Sequence, residues 1–309
     1  MMKIICAAGE LETRGRPVSL AIGFFDGVHL GHQAVINRAV QAARELDGKS
    51  AVMTFDRHPS SIVAPERVPR LIYGLEQRLE AVASLGPDNL VLLKFDQALS
   101  QISGEEFVRN LARDMPGLRQ ISVGTNFFFG HRRTGNATLL KQLGRELGFE
   151  LESVDPVSLD DAPISSTRIR EAIAAGDFAS ADRMLGRPYV LEGKVITGDR
   201  LGHQLGFPTA NLEVTGLVLP PNGVYAVRVN AEGKSFPGVL NIGFRPTVAT
   251  GNPSLRVETH LLDFAGDLYG QTIGLRIEQS LRPEHKFASL EALKSQIALD
   301  IAEALKVLT

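Results

Sequence analysis

A chain of 309 residues, 44% hydrophobic and 22% charged, has the length of one large or two ordinary domains and the composition of a globular protein with a sizeable core. Its 33 basic and 35 acidic residues nearly cancel, which argues against a nucleic-acid or anionic-membrane partner. A single cysteine, Cys6, excludes an internal disulfide framework and a cysteine-based zinc site; no run reaches the roughly 18 apolar residues of a membrane helix and the N-terminus lacks a signal-peptide pattern, so the expected compartment is the cytoplasm.

Val18 to Ile22 is a short apolar run suited to a buried strand, and Ile36, Val40 and Ala43 then recur at helical spacing. Between them lies Gly-Phe-Phe-Asp-Gly-Val-His-Leu-Gly-His-Gln, residues 23–33. Gly23, Gly27 and Gly31 let backbone approach a ligand in a sharp strand-to-helix turn. His29 and His32, three apart at the helix start, can project the same way beside unpaired N–H groups, an arrangement that suits nucleotide phosphates.

Strand-like and helix-like segments keep alternating. Ser50–Phe55 is a strand ending in the loop Asp56-Arg57-His58-Pro59; Leu75, Leu79 and Val82 mark a helix; Leu90–Leu93 is a strand. Phe107, Val108 and Leu111 mark a helix, Ile121–Gly124 a strand, Leu140, Leu143 and Leu147 a helix, and Phe149–Val154 a strand. This pattern predicts a parallel sheet covered on both faces, with ligands off the carboxyl ends of its strands. The loops 23–33, 56–59 and 126–135 all fall there, the last opening with Asn126 and three phenylalanines, 127 to 129, of which an exposed one offers a stacking face for a planar group. Ile-Ser-Ser-Thr-Arg-Ile-Arg, residues 164–170, places hydroxyls and guanidiniums at the start of a helix predicted over Ser166 to Leu185; it serves equally as a helix cap or a phosphate clamp.

From Tyr189 the texture changes to short β-rich runs separated by Gly, Pro and Asn, which predicts a small antiparallel barrel beyond a domain border near Gly186-Arg187-Pro188, giving domains 1–186 and 187–309. The last helix, Ser289 to Leu308, carries the apolar stripe Leu290, Leu293, Ile297, Ile301, Leu305 and Leu308 that should cover the barrel, with Ser289 as its N-cap. Gly198 and Gly202 lie in a glycine-rich loop between strands; it is not a P-loop, since Gly48-Lys49-Ser50 and Gly233-Lys234-Ser235 lack the earlier glycine at the required offset. Thr209 and Asn211 alternate on one side of an extended segment and are hard ligands for a magnesium ion shared with ATP. Glu258, a carboxylate within an apolar strand, suits a base near an attacking hydroxyl.

The four stretches of the first half resemble the N-terminal module of bacterial bifunctional riboflavin kinase/FAD synthetases, a nucleotidyltransferase module with the His-x-Gly-His signature. Gly-Phe-Pro-Thr-Ala-Asn at 206–211, Asn-Ile-Gly-Phe-Arg-Pro-Thr at 241–247, Val-Glu-Thr-His at 257–260, Asp-Leu-Tyr-Gly at 267–270 and Arg-Pro-Glu-His-Lys-Phe at 282–287 resemble the riboflavin kinase module. The resemblance implies phosphorylation of riboflavin to FMN and ADP, then adenylylation of FMN to FAD and pyrophosphate. ATP and Mg2+ serve both steps, and no permanently bound cofactor, nucleic acid or membrane is implied. It further implies that His29 and His32 act on the ATP phosphates. Gly23, Phe25, Asp26, Gly27, Gly31, Asn126, Ser166, Thr167, Arg170, Gly198 and Gly202 bind nucleotide. Thr209 and Asn211 hold the metal, Glu258 is the kinase base, and Phe55, His58, Pro59, Phe128 and Arg282 contact flavin. Phe24, Phe128 and His203 depart from the family pattern, which commonly has Asn, Arg and Arg there. A monofunctional adenylyltransferase with a packing barrel, a flavin-sensing regulator and a class I tRNA synthetase are the weaker readings; the last lacks room for an anticodon domain.

Overall fold

Val18 to Ile22 exposes none of its five residues, and a strand with no solvent face needs partners on both edges and cover on both sides. The computed structural model, which describes residues 2–198, 202, 205–245 and 254–308, supplies both. By internal contacts the chain divides into two units, Met1–Arg168 and Ile169–Thr309. His203 lies outside the described residues.

The first unit is built on six parallel strands: β1 (Lys3–Ile5), β2 (Val18–Ile22), β3 (Lys49–Phe55), β4 (Asn89–Leu93), β5 (Leu118–Gly124) and β6 (Glu150–Val154), in the spatial order β1-β4-β3-β2-β5-β6. Successive side chains of a strand point to opposite faces, and the two cores divide accordingly. Leu20, Ile22, Met53, Val91 and Ile121 face one layer; Ala21, Val52 and Leu90 face the other. The helices in chain order are α1 (Leu30–Glu45), the short α2 (Ser60–Val63), α3 (Leu75–Ala83), the short α4 (Gln97–Gln101), α5 (Gly104–Asp114) and α6 (Ala137–Leu147). Val35, Ile36 and Val40 of α1 and Val82 of α3 cover the second face, whereas Val108 and Leu111 of α5 and Leu140 and Leu143 of α6 cover the first. After β2 the chain runs through α1 to β3; after β5 it runs through α6 to β6 on the opposite side. Neighbouring β2 and β5 therefore send their helices to opposite faces, which opens a crevice at their carboxyl ends. The three-residue edge strand β1 is too short to leave a signal in the sequence.

A small hairpin, β7 (Ser158–Leu159) with β8 (Ala162–Pro163), precedes α7 (Ser166–Ala175) and α8 (Phe178–Leu185). The single helix expected over this stretch is thus two. Asp177 ends the first run by capping the second, its carboxylate accepting from Ser180 N–H at 3.0 Å.

The second unit is a closed antiparallel barrel of β9 (Val190–Ile196), β10 (Ala210–Glu213), β11 (Gly223–Ala231), β12 (Lys234–Arg245), β13 (Ser254–Leu261) and β14 (Thr272–Pro283), ordered β10-β13-β12-β11-β14-β9. Its interior takes alternate residues, including Leu240, Ile242, Val257 and Thr259, all buried. Val239 and Val224 instead face outward beneath the last helix, α9 (Leu290–Leu308), where they meet Ala304 and Leu308. Ser289 caps α9 as expected, accepting from Ala292 N–H at 3.1 Å. The buried stripe differs in two places: Leu290 is 56% and Leu305 38% exposed, and Ala304 takes the covered position. Leu290 sits at the very start of the helix, and Leu305 falls off the axis of a stripe with a 3.6-residue period.

An ion pair ties α9 to the barrel. Asp300, 5% exposed, accepts from Arg282 Nε at 2.9 Å and from Arg282 Nη2 at 2.8 Å, with Gln296 Nε2 donating at 2.9 Å. Removing one partner of such a buried pair strands the other charge. Asp300→Ala is expected to lower the unfolding free energy of the barrel unit by about 3 kcal/mol in denaturant titration, and adding Arg282→Met should recover part of the loss.

Candidate active sites

The turn after β2 is held in a conformation that its residues resist. Phe25, Gly27 and Val28 have φ of 56°, 75° and 41°, and a buried β-branched residue such as Val28 pays for a left-handed backbone with about 1–3 kcal/mol of strain. Asp26 holds the turn in place. Its buried carboxylate accepts from Ile72 N–H at 3.0 Å and Tyr73 N–H at 3.5 Å, and its carbonyl accepts from the Ser166 hydroxyl at 3.1 Å.

His29 then caps α1, its Nδ1 accepting from His32 N–H at 3.3 Å. With Nδ1 used as an acceptor, the neutral tautomer of this ring carries its proton on Nε2. The His32 ring stacks on it with centroids 3.6 Å apart and planes 20° from parallel. His32 Nδ1 is buried and has no hydrogen-bond partner among the described residues. Burial, and then the neighbouring His29, hold the His32 imidazole well below its usual 6.5. His32 therefore meets a polyanion as a neutral ring at the positive end of a helix, beside the capping His29.

A cavity of about 870 Å3 opens above this turn at the carboxyl ends of the strands. Gly23, Phe25, His29, Gly31, His32, Phe55, His58, Pro59, Asn126 and Phe128, all expected to belong to one site, line it. Phe127 and Phe129 stack on each other and pack on the core, leaving Phe128, 47% exposed, as the ring that faces outward. His58 Nδ1 accepts from Ser60 N–H at 3.1 Å, and its ring meets Phe24 edge-on. Asp26, Gly27, Ser166, Thr167 and Arg170 do not line the cavity. For Asp26 and Ser166 the reason is visible: their polar groups bond to backbone and to each other, so they act on the shape of the turn. Thr167 is next along α7, and Arg170 lies one turn beyond Ser166 on the same side of the helix.

Arg78 escapes the sequence reading. It is 2% exposed, bonds to the carbonyls of Phe24 (3.2 Å) and Phe55, and lies over the Phe24 ring at 4.2 Å. It thus clasps the carboxyl ends of β2 and β3. Burial pulls its pKa down to about 10, against the pull of Asp26 and Asp56, so it stays charged at neutral pH. The signal was present: position 78 falls on the apolar stripe of Leu75, Leu79 and Val82, where a charged residue needs an explanation.

In the second unit Asn211, Glu258 and Asn241 stand abreast on β10, β13 and β12, since Asn211 registers with Glu258 and Glu258 with Asn241. They share the outward face with Val239 and His260, so the site lies on the flank of the barrel and α9 supplies its far wall. A cavity of about 300 Å3 there is lined by Gly202, Thr209, Asn211, Glu258, Arg282 and, from α9, Leu293 and Ile297, among others. Asn211 is buried, and its Oδ1 has no hydrogen-bond partner among the described residues. An orphaned hard oxygen of this kind is costly unless a ligand or ion meets it. Gly198 is required by the same side chain, because a Cβ there would stand 2.2 Å from Asn211 Nδ2. Its role is to admit Asn211; Gly198 itself does not line the cavity. Arg282 lines the cavity with its guanidinium bonded to Asp300 and 5.5 Å over the Phe287 ring. Among the described residues no group of three or more His, Cys, Asp and Glu is arranged to hold a metal ion.

The family model for FAD synthetase matches residues 12–168, and the model for riboflavin kinase matches residues 185–308. A bifunctional riboflavin kinase/FMN adenylyltransferase of Pseudomonas fluorescens is 42% identical over 303 residues, covering 98% of this chain and 97% of the relative. Those of Escherichia coli K12 and Bacillus subtilis 168 are 39% and 36% identical, covering 91% and 93% of this chain and 90% and 91% of the relatives. A solved structure from Streptococcus pneumoniae, named as a macrolide-efflux protein, superposes with a TM-score of 0.81 at 29% identity over 98% of both chains. That name describes the other protein; among the described residues here no helix is long and apolar enough to cross a membrane.

The buried His32 has a consequence for stability. In the unfolded chain its ring takes up a proton as pH falls through about 6.5, whereas the folded ring resists, so the unfolded state binds more protons and stability drops with pH below that value. Thermal melting of the first unit is expected to fall between pH 7 and pH 5, and His32→Gln should flatten that slope. An unchanged slope would assign the acid sensitivity to other groups.

Proposed function

The chain belongs to the family of bifunctional riboflavin kinase/FMN adenylyltransferases, and we propose that its two sites divide the family's two reactions between the two units. It phosphorylates riboflavin with ATP to give FMN and ADP, then transfers AMP from a second ATP to FMN, giving FAD and pyrophosphate. The barrel performs the first step and the parallel-sheet unit the second, both in the cytoplasm, with FMN leaving one site to enter the other. We place the catalytic border at Gly186, beyond the contact-based division at Arg168, so that the modules are 1–186 and 187–309.

One observation carries the kinase assignment: the buried, unbonded oxygen of Asn211 lies on the same rung as Glu258. A barrel kept only for packing, or a sensor without turnover, has no need of a carboxylate beside an amide oxygen held unsatisfied. The donor set of Thr209 and Asn211 fits Mg2+, which when bound offsets the charge of the ATP phosphates. Glu258 takes the proton of the ribityl hydroxyl as that oxygen attacks the γ-phosphorus and ADP leaves. Gly198 and Gly202 leave room for the nucleotide loop beside these donors. Arg282, fixed by Asp300, forms a wall for the flavin ring.

In the module 1–186 a phosphate oxygen of FMN attacks the α-phosphorus of ATP, and pyrophosphate departs in line. No proton need be abstracted, so positioning and charge neutralisation carry the rate. His29 donates through Nε2 and His32 beside it, both at the helix start, to the phosphate oxygens as charge builds. Gly23, Phe25 and Gly31 shape the turn beneath the nucleotide, with Asp26 and Gly27 holding it, and Asn126 helps seat it. Ser166, Thr167 and Arg170 receive the leaving pyrophosphate. Phe55, His58, Pro59 and Phe128 wall the space for the isoalloxazine ring.

Separate sites predict separable losses. Glu258→Ala is expected to abolish FMN formation from riboflavin while FAD formation from supplied FMN persists, and His29→Ala with His32→Ala should do the reverse, with products separated by chromatography. Equal damage to both activities in folded protein would sink the two-site reading. The fragments Pro188–Thr309 and Ile169–Thr309 should both phosphorylate riboflavin. The longer should melt higher, because it keeps Phe178 packed against Tyr189 and Tyr225.

A further inference from the structure

We infer that Arg133, steadied on the ring of Phe128, binds the phosphate of FMN in the first unit and sets that site's preference for a phosphorylated flavin; the inference rests on the adenylyltransferase reading above. Residues 129–135 form a clasped loop, closed by Phe129 N–H to Gly135 O at 3.1 Å and Gly135 N–H to Phe129 O at 2.8 Å. The loop is pinned from outside as well. His131 N–H donates to Ile102 O at 2.7 Å, the His131 ring bonds Ser100 O at 3.0 Å, and Gly104 N–H donates to Thr134 Oγ1 at 2.9 Å. Arg132 and Arg133, at its tip, are both left-handed, with φ of 51° and 60°. Neither residue type favours that region, so the clasp holds a conformation that the free chain would leave.

Both arginines line the large cavity, as does Phe128. Only Arg133 has an aromatic support: its Cζ lies 4.3 Å from the Phe128 centroid. An exposed contact of that type is weak, enough to bias one side-chain placement and weak enough to yield when a ligand arrives. Among the described residues no carboxylate pairs with Arg133, so its fork of donors is available to an anion. The other imidazoles of the cavity are committed: His29 and His32 serve ATP, His58 bonds backbone at Ser60, and His131 bonds Ser100. A ligand that matches a guanidinium resting over a flat ring, in a contact weak enough to yield, is a planar heterocycle with a terminal phosphate: its ring takes the aromatic face as the fork turns to the charge. FMN has both; riboflavin has the ring and lacks the charge, which for a phosphate monoester is nearly two units at neutral pH.

The test measures FAD formation from FMN and ATP by the full chain, with lumiflavin, the flavin ring without its sugar chain, as competitor. Arg133→Met is expected to raise KM for FMN roughly tenfold with kcat little changed, the mark of a lost ground-state contact. Lumiflavin inhibition should stay as it was. Phe128→Leu should weaken FMN and lumiflavin together, Arg133→Lys should lose less than Arg133→Met, and Arg132→Met should have the smaller effect of the two arginines. Riboflavin phosphorylation by the same preparations gives the internal standard. A KM unchanged in Arg133→Met, a larger rise in Arg132→Met, or a fall in lumiflavin inhibition as steep as the rise in KM would each overturn the inference. A wild-type chain that makes no FAD from FMN would overturn the reading beneath it.

Discussion

A parallel sheet must return its chain across one face after every strand, and where two neighbouring strands return across opposite faces their carboxyl ends are left uncovered. In this chain that place lies between β2 and β5. The larger candidate site depends on it. Residues 23–33 leave β2 there, Asn126 and Phe128 leave β5 there, and the cavity between them is what the topology leaves open. The glycine-histidine turn is accordingly held from below and beside. Arg78 clasps the ends of β2 and β3, Asp26 anchors the turn to Ile72 and Tyr73, and Ser166 ties it to α7. Strain at Val28 persists because these bonds over-determine the backbone.

The barrel obeys the opposite constraint. A closed six-stranded barrel fills its own interior with side chains, so there is no room inside for a nucleotide. The cavity lies instead on the flank, where the outward residues of β10, β13 and β12 meet a helix from the end of the chain. That helix is a wall of the cavity, and the Arg282–Asp300 pair that fastens it lies among the lining residues. Stability of the helix and shape of this cavity are therefore set by the same ion pair. Two units with separate cavities suit a pathway in which the product of one site is the substrate of the other.

Much of the fold was legible because periodicity carries it. The alternation of apolar strands with amphipathic helices, the change to short strands after Tyr189, and the cap at Ser289 all appear in the structure. The misses have local causes. A three-residue edge strand has no periodicity to detect; the capping carboxylate of Asp177 divides one expected helix into two; and Leu305 gives way to Ala304 because a stripe drawn on large residues ignores a small one closer to its axis. Among site residues, His29, His32, Asn211 and Glu258 stood out by their chemistry. Arg78 did not, being hidden in a helix whose stripe was read from its aliphatic members alone, and Arg133 was passed over beside three phenylalanines.

Residue identity alone determined which groups are able to bind phosphate, hold a hard cation or take a proton, since those properties belong to the side chains, and it determined the order of strands and helices through their periods. Only the tertiary structure decided which of those groups meet. It set His32 against His29 and buried it neutral, and it turned Asp26 toward the backbone of Ile72. Phe128 was left outside while its neighbours packed inward, and Asn211 was brought abreast of Glu258 from a strand distant in sequence. Strand register and burial are properties of pairs of segments, and no single stretch of sequence contains them.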